Sequence, residues 1–431
     1  MPPTAMPRIT GASEIRSHPG VVVLCMFITV IEGFNLIVYG SVVPLLLDDA
    51  ALGLTDQQTG LVGGLVYIGA ILGSVTAPGV ADRIGRKRVL LTAIGLFALG
   101  ALLTGSAVNV VTLAVARFVT GFGIGGSLTT AMTTARNSSA AKRASVVVTI
   151  TMAGIPLGGV VAALLAIPIL PAFGWRPMFF VGAGTAMLIM IAVAVMTIPA
   201  DTPQEVAGRM WSTHRKLRTM FSGRGLGATA IIAVCAIANM VAWQGLNVWA
   251  TQAMVELGYA LSVALLFGFT LTGAAVAGSF VTAWAADRRG PALIAVATGA
   301  CTLGGLVGML VLPTSVVTTV VCVALMGIGG HSTMNLVHTT TADIFPLPVR
   351  ATALGWSNGT SFIGAFLGPV LGGAAIATRG AHGVFATFTA SATVCLFAVI
   401  GLYIADRATR ARLRDAIGDP LPVPPVSQAT A

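Results

Sequence analysis

The chain has 431 residues, of which 56% are hydrophobic and only 9% charged, with a net charge of +10. A soluble domain carries roughly a quarter charged residues, so the composition excludes an ordinary soluble enzyme and a disordered chain. It also excludes a nucleic-acid binder, unless the basic residues were gathered on a small soluble part; long apolar runs containing many of the 52 glycines instead describe a polytopic helical membrane protein.

A bilayer core needs about 20 apolar residues per helix. In chain order, twelve runs satisfy this: 21–47, 58–80, 89–108, 110–134, 145–171, 176–198, 226–251, 260–285, 291–312, 315–341, 351–377 and 382–404. They are too long and too uniformly apolar for the strands of a β-barrel. The first follows Arg8 and Arg16 and contains Glu32, which favours a mature helix over a cleaved signal. Cys25, Cys235, Cys301, Cys322 and Cys395 all lie inside apolar stretches without CxxC spacing. They read as inert thiols, with no disulfide framework and no zinc site.

Basic residues cluster between alternate runs. With both termini in the cytoplasm, only Arg117, Arg176 and Arg379 of the 24 fall away from that side. This is a positive-inside pattern, and it explains the basic charge without nucleic acid. The expected location is the cytoplasmic membrane, multi-pass, with the lipid bilayer as its surroundings. The expected divisions are an N-terminal six-helix bundle (1–198), a cytoplasmic central loop (199–225), a C-terminal six-helix bundle (226–404) and a cytoplasmic tail (405–431).

The halves repeat one another. Ala81-Asp82-Arg83-Ile84-Gly85 matches Ala286-Asp287-Arg288-Arg289-Gly290, and Arg143-Ala144-Ser145 matches Arg350-Ala351-Thr352. Two six-helix units are a transporter layout, with a cavity at their interface exposed alternately to each side. The repeated turns read as a cytoplasmic gate made of Asp82, Arg83, Gly85, Arg86, Asp287 and Arg288, which latches neighbouring helix ends.

These features resemble the major facilitator superfamily. Pro78-Gly79-Val80-Ala81-Asp82-Arg83-Ile84-Gly85-Arg86-Lys87 is similar to its loop 2–3 signature, and Arg117-Phe118-Val119-Thr120-Gly121-Phe122-Gly123-Ile124-Gly125 to its helix 4 motif. Within it, Glu32-Gly33-Phe34-Asn35, Gly154-Ile155-Pro156-Leu157-Gly158 and Gly245-Leu246-Asn247-Val248-Trp249 resemble the aromatic acid:proton symporters. The resemblance implies a monomeric twelve-helix transporter of a small organic acid, powered by a proton gradient and without a bound cofactor. It also implies a coupling role for Arg117.

Glu32 is the only acid deep in a run, and a carboxylate there is costly unless paired, hydrated or protonated. It reads as the proton carrier, with Arg117 as a candidate partner. Glu32, Asn35 and Tyr39 share one helix face, at spacings of three and four. Asn239, Trp243, Gln244 and Asn247 put amides and an aromatic ring within two turns, suited to an aromatic substrate or, alternatively, to interhelical bonding. His331 and Asn335 share a face with His338 and complete the candidate substrate-binding set, with His331 a second proton site or a helix–helix hydrogen bond. Three positions depart from the family pattern: Asn35 replaces its second acid, Ala135 a glutamate and Phe362 an arginine. The substrate is therefore either a small aromatic or related organic acid taken up with a proton, or a hydrophobic metabolite or drug exported by proton exchange. A membrane sensor that no longer transports is the third reading.

Overall fold

Every run in that reading lies in helix over nearly all its described residues, and the helices that follow Thr55, Asn109 and Ser315 begin at a side-chain cap. The computed structural model describes residues 19–138, 147, 151–197 and 213–418. The Arg143-Ala144-Ser145 repeat, the start of the 145–171 run, most of the central loop and the distal tail lie outside the described residues, as do Arg8 and Arg16. The first half holds α1 (Pro19–Leu47), α2 (Asp56–Ile84), α3 (Arg86–Gly105), α4 (Val110–Asn137), α5 (Gly154–Phe173) and α6 (Arg176–Val195). A short helix, Thr213–Met220, precedes α7 (Gly223–Glu256), α8 (Leu261–Arg289), α9 (Pro291–Val311) and α10 (Val316–Ile344). The last helical stretch, Leu347–Gly418, would span far more than one bilayer. Gly380, at φ 59° and ψ −154°, breaks it into α11 (347–379) and α12 (381–418).

The repeat seen in sequence recurs in backbone geometry. Gly85 sits at φ 90°, ψ 147° and Gly290 at φ 89°, ψ 144°. Each donates its N–H back to the preceding helix, to Ala81 O at 2.9 Å and Ala286 O at 2.8 Å. Only glycine holds that φ without strain. Gly53 and Gly258, and Gly174 and Gly380, form further matched turns. The helices that open the fourth position of each half are capped alike: Asn109 accepts from Thr112 N–H and Ser315 from Thr318 N–H.

Large apolar side chains such as Phe173, Leu188, Phe280, Val317 and Phe397 point outward. In water this surface would aggregate; against lipid it is the preferred exterior. The halves meet at the end of the bundle opposite the basic turns. There Gly40 lies against the backbone of Asn247, Gly60 against Pro369 O, and Gly373 against Asp56 O. Without side chains, these glycines let backbones touch. At the basic end, a Cβ added at Gly79, Gly85, Gly355 or Gly359 would meet nothing within 4 Å. Asn335 and Thr339 of α10 are exposed there.

Candidate functional site

Glu32, Asn35 and Tyr39 share a face as the spacing predicts, and all three are buried. That face turns into the first half rather than toward the second. Glu32 Oε1 accepts a hydrogen bond from Ser127 Oγ of α4, and Oε2 has no partner among the described residues. Asn35 Nδ2 donates to Ile31 O at 3.1 Å, and its amide packs against Gly182 of α6. Tyr39 donates its hydroxyl to Thr59 O at 2.9 Å and packs on Gly63 of α2. The glycines opposite this face let it sink between helices. The other face of α1, through Ile37 and Ser41, borders a gap of about 10 Å³ between the halves, room for one water at most.

Arg117 is 1% exposed. Its Nη1 donates to Asn35 O at 3.3 Å, and its guanidinium carbon stands 4.7 Å from the Tyr39 ring centroid. Tyr67 of α2 lies within its electrostatic reach. The expected pairing of Arg117 with Glu32 is corrected here, because neither has the other as a partner. Ser127, which holds Glu32, lies ten residues from Arg117 along α4, about 15 Å at the helical rise. Carbonyl and π contacts serve the guanidinium in place of a carboxylate.

On the second half, Trp243 and His331 form an aromatic shelf, with ring centroids 5.8 Å apart. Gly330 lies under the Trp243 ring. Asn247 Nδ2 donates to Trp243 O at 2.7 Å, while its Oδ1 has no partner among the described residues and its side chain borders the interhalf gap. Asn239 is turned away from the interface: its Nδ2 donates to Gly330 O at 2.9 Å, and Cys395 Sγ lies 3.9 Å from its Oδ1. The structure thus selects, for Asn239, the interhelical bond over the cavity. Gln244 does reach across the halves, and its Nε2 donates to the Tyr67 hydroxyl at 2.5 Å. His331 is half-buried, and Asn335 is exposed toward the basic end.

Part of the turn motif acts within its own half. Lys87 Nζ donates to Ala194 O at 2.7 Å and Met196 O at 2.9 Å, closing the end of α6. Arg288 lies 3.8 Å over the Trp284 ring of its own helix. Asp82, Arg83 and Asp287 are exposed, and Arg86 is half-buried. At the opposite end Arg176 donates to Gly105 O and Ala107 O and lies 3.6 Å from Asp49, which also accepts from Trp175. All five cysteines are free thiols.

Ser127 and Tyr67 were not visible as site residues in the sequence. Serine and tyrosine are common in membrane helices, and only the packing of α4 and α2 against α1 and α7 gives these two a partner.

The sequence pattern of the Major Facilitator Superfamily matches residues 25–323 and 232–429. The chain is 30% identical over 390 residues to a gentisate transporter of Corynebacterium glutamicum, covering 89% of this chain and 86% of that protein. It is 24% identical over 422 residues to a benzoate transport protein of Acinetobacter baylyi, covering 90% and 89%. Its backbone is similar to the crystal structure of a bacterial homolog of the human lysosomal transporter Spinster, in an inward-facing conformation. The TM-score is 0.73 at 16% identity, over 93% of this chain and 99% of that one.

Proposed function

This chain belongs to the major facilitator superfamily, and on that premise we propose that it takes up a small monocyclic aromatic acid together with a proton. It is a transporter rather than an enzyme, and relatives named for gentisate and benzoate support the substrate class. The observation that carries proton coupling is Glu32, a fully buried carboxyl that has, among the described residues, one hydrogen-bond donor, one orphan oxygen and no ion pair. An ionised carboxylate in that position is costly, so the half packs best when Glu32 holds a proton. Ser127 can serve both forms. Its hydroxyl donates to Glu32 when the acid is ionised, and turns to Gly123 O, 2.9 Å away, when the acid itself donates.

The positive-inside rule puts the basic turns in the cytoplasm, so the arrangement with apposed opposite ends opens inward. Rocking of the halves about Tyr67 and Gln244 would expose the same interface outward. The proton gradient is the energy source, and the substrate is the small-molecule partner.

Labelled benzoate uptake into proteoliposomes, with and without an inward proton gradient, tests the reading. Accumulation above equilibrium only with the gradient is expected. In Glu32→Gln, accumulation should fall to the equilibrium level while benzoate exchange persists. Gradient-independent equilibration by the wild-type protein would sink the coupling. Phe362, apolar where the family pattern has arginine, favours a second reading: export of an uncharged metabolite by proton exchange. Proton-driven extrusion of a neutral aromatic, without benzoate accumulation, would establish that reading instead.

A further inference from the structure

We propose that the Tyr67 hydroxyl, backed by Arg117, recognises the carboxylate of the aromatic substrate at the interface of the halves. The inference rests on the uptake reading above and adds the group that selects an acid over a neutral ring.

Tyr67 is 3% exposed and stands eleven residues into α2, about 16 Å along it, near the middle of a bilayer core. Its oxygen accepts the Gln244 amide hydrogen. Among the described residues no group accepts the hydroxyl hydrogen in return. A buried phenol that accepts but does not donate has a hydrogen bond still to make. The Tyr39 hydroxyl, by contrast, is used up on Thr59 O.

Behind Tyr67 lies a cation without an anion. Arg117 has no carboxylate partner among the described residues, and its Nε is unpartnered. A buried guanidinium in that condition attracts negative charge strongly. It does not itself line the gap between the halves. Tyr67 lies within its electrostatic reach and bridges to Gln244 of the other half. The phenol is thus an oriented donor with positive potential behind it, an arrangement that favours an anion over a neutral acceptor.

The surroundings suit a ring. Phe362 and Phe366 of α11 pack against the apolar cluster that contains Tyr67. Trp243, the next residue to Gln244, brings the shelf it forms with His331. A flat apolar body with one carboxylate fits this combination. A sugar would leave its hydroxyls unpaired against phenylalanine. Phe362 then ceases to be a missing anion site, because the positive charge enters from α4 instead of α11.

Calorimetric titration of the full-length protein in lipid nanodiscs, with benzoate and with benzamide at neutral pH, tests this. The wild-type protein should prefer benzoate. Tyr67→Phe should keep benzamide binding and narrow the preference by about tenfold. Gln244→Leu, which removes the bridge but not the phenol, should keep the preference. An unchanged preference in Tyr67→Phe overturns the proposal, as does equal loss of both ligands in that variant. Loss of the preference in Gln244→Leu overturns it too, by assigning selectivity to the bridge. If the wild-type protein binds no benzoate, the uptake reading falls with it; in every other case only this inference is at stake.

Discussion

The Ser127 hydroxyl has one hydrogen and three acceptors in reach: Glu32 Oε1, Gly123 O and Ile124 O. Ser127→Ala leaves the Glu32 carboxyl with no donor among the described residues. Proton-driven benzoate accumulation should fall about tenfold while exchange persists, the loss of one charge-assisted hydrogen bond. Ser127→Thr, which keeps the hydroxyl, should restore most of it. Uptake unchanged in the alanine variant would remove Ser127 from the coupling. Asn239 gives the opposite case. Asn239→Leu loses the bond to Gly330 O and should cost about 1 kcal/mol in thermal stability in detergent, with uptake retained. At this scale the sequence was half readable. Glu32 and Arg117 stand out because a charge in an apolar run is rare. Whether they face one another depends on the register of α1 against α4, which no residue spacing within either helix reveals.

The glycines of α4 set how closely it packs on α2 and α3. A Cβ at Gly121 or Gly125 would run into the backbone of Val66 or Ala70 on α2, and one at Gly123 would meet Phe97 and Ala93 on α3. The glycine run of α4 is therefore a two-sided packing surface. Gly121→Ala should push α2 from α4, separating Tyr67 from Arg117, and abolish uptake even where the protein still reaches the membrane. Gly184→Ala, whose Cβ meets nothing within 4 Å, should leave uptake unchanged and raise stability slightly, as alanine is about 1 kcal/mol the better helix former. Melting temperature and uptake measured together separate the two. Helix existence was legible from hydropathy almost everywhere, since twenty apolar residues have few other folds in lipid. Helix ends were less so. Arg83, Arg86 and Lys87 read as loop residues, yet Arg83 closes α2 and the other two begin α3, because one glycine suffices to reverse the chain.

Across the whole molecule, the halves touch at one end and part at the other. The sequence predicted two halves with a cavity between them, but which end is closed depends on the balance of contacts between them, not on either half alone. Orientation in the bilayer is testable directly. Asn335→Cys, exposed at the basic end, should react with a membrane-impermeant maleimide in inside-out vesicles and not in right-side-out ones, in a background where the half-buried Cys301 is serine. Labelling from the other side would invert the orientation.

The matched turns at Gly53 and Gly258, and at Gly85 and Gly290, lie 205 residues apart. They therefore let each site residue be compared with its twin. The twin of Glu32 is Ile237, and that of Trp243 is Val38. From the fourth helix onward the spacing is 206, as between Gly174 and Gly380, and Arg117 then answers to Val323 and His331 to Gly125. A duplicated scaffold has thus divided its labour: the first copy kept the charges, and the second kept the aromatic shelf. An assembly of two first halves would hold two carboxyls and no seat for a ring. An assembly of two second halves would hold a seat and nothing to drive it.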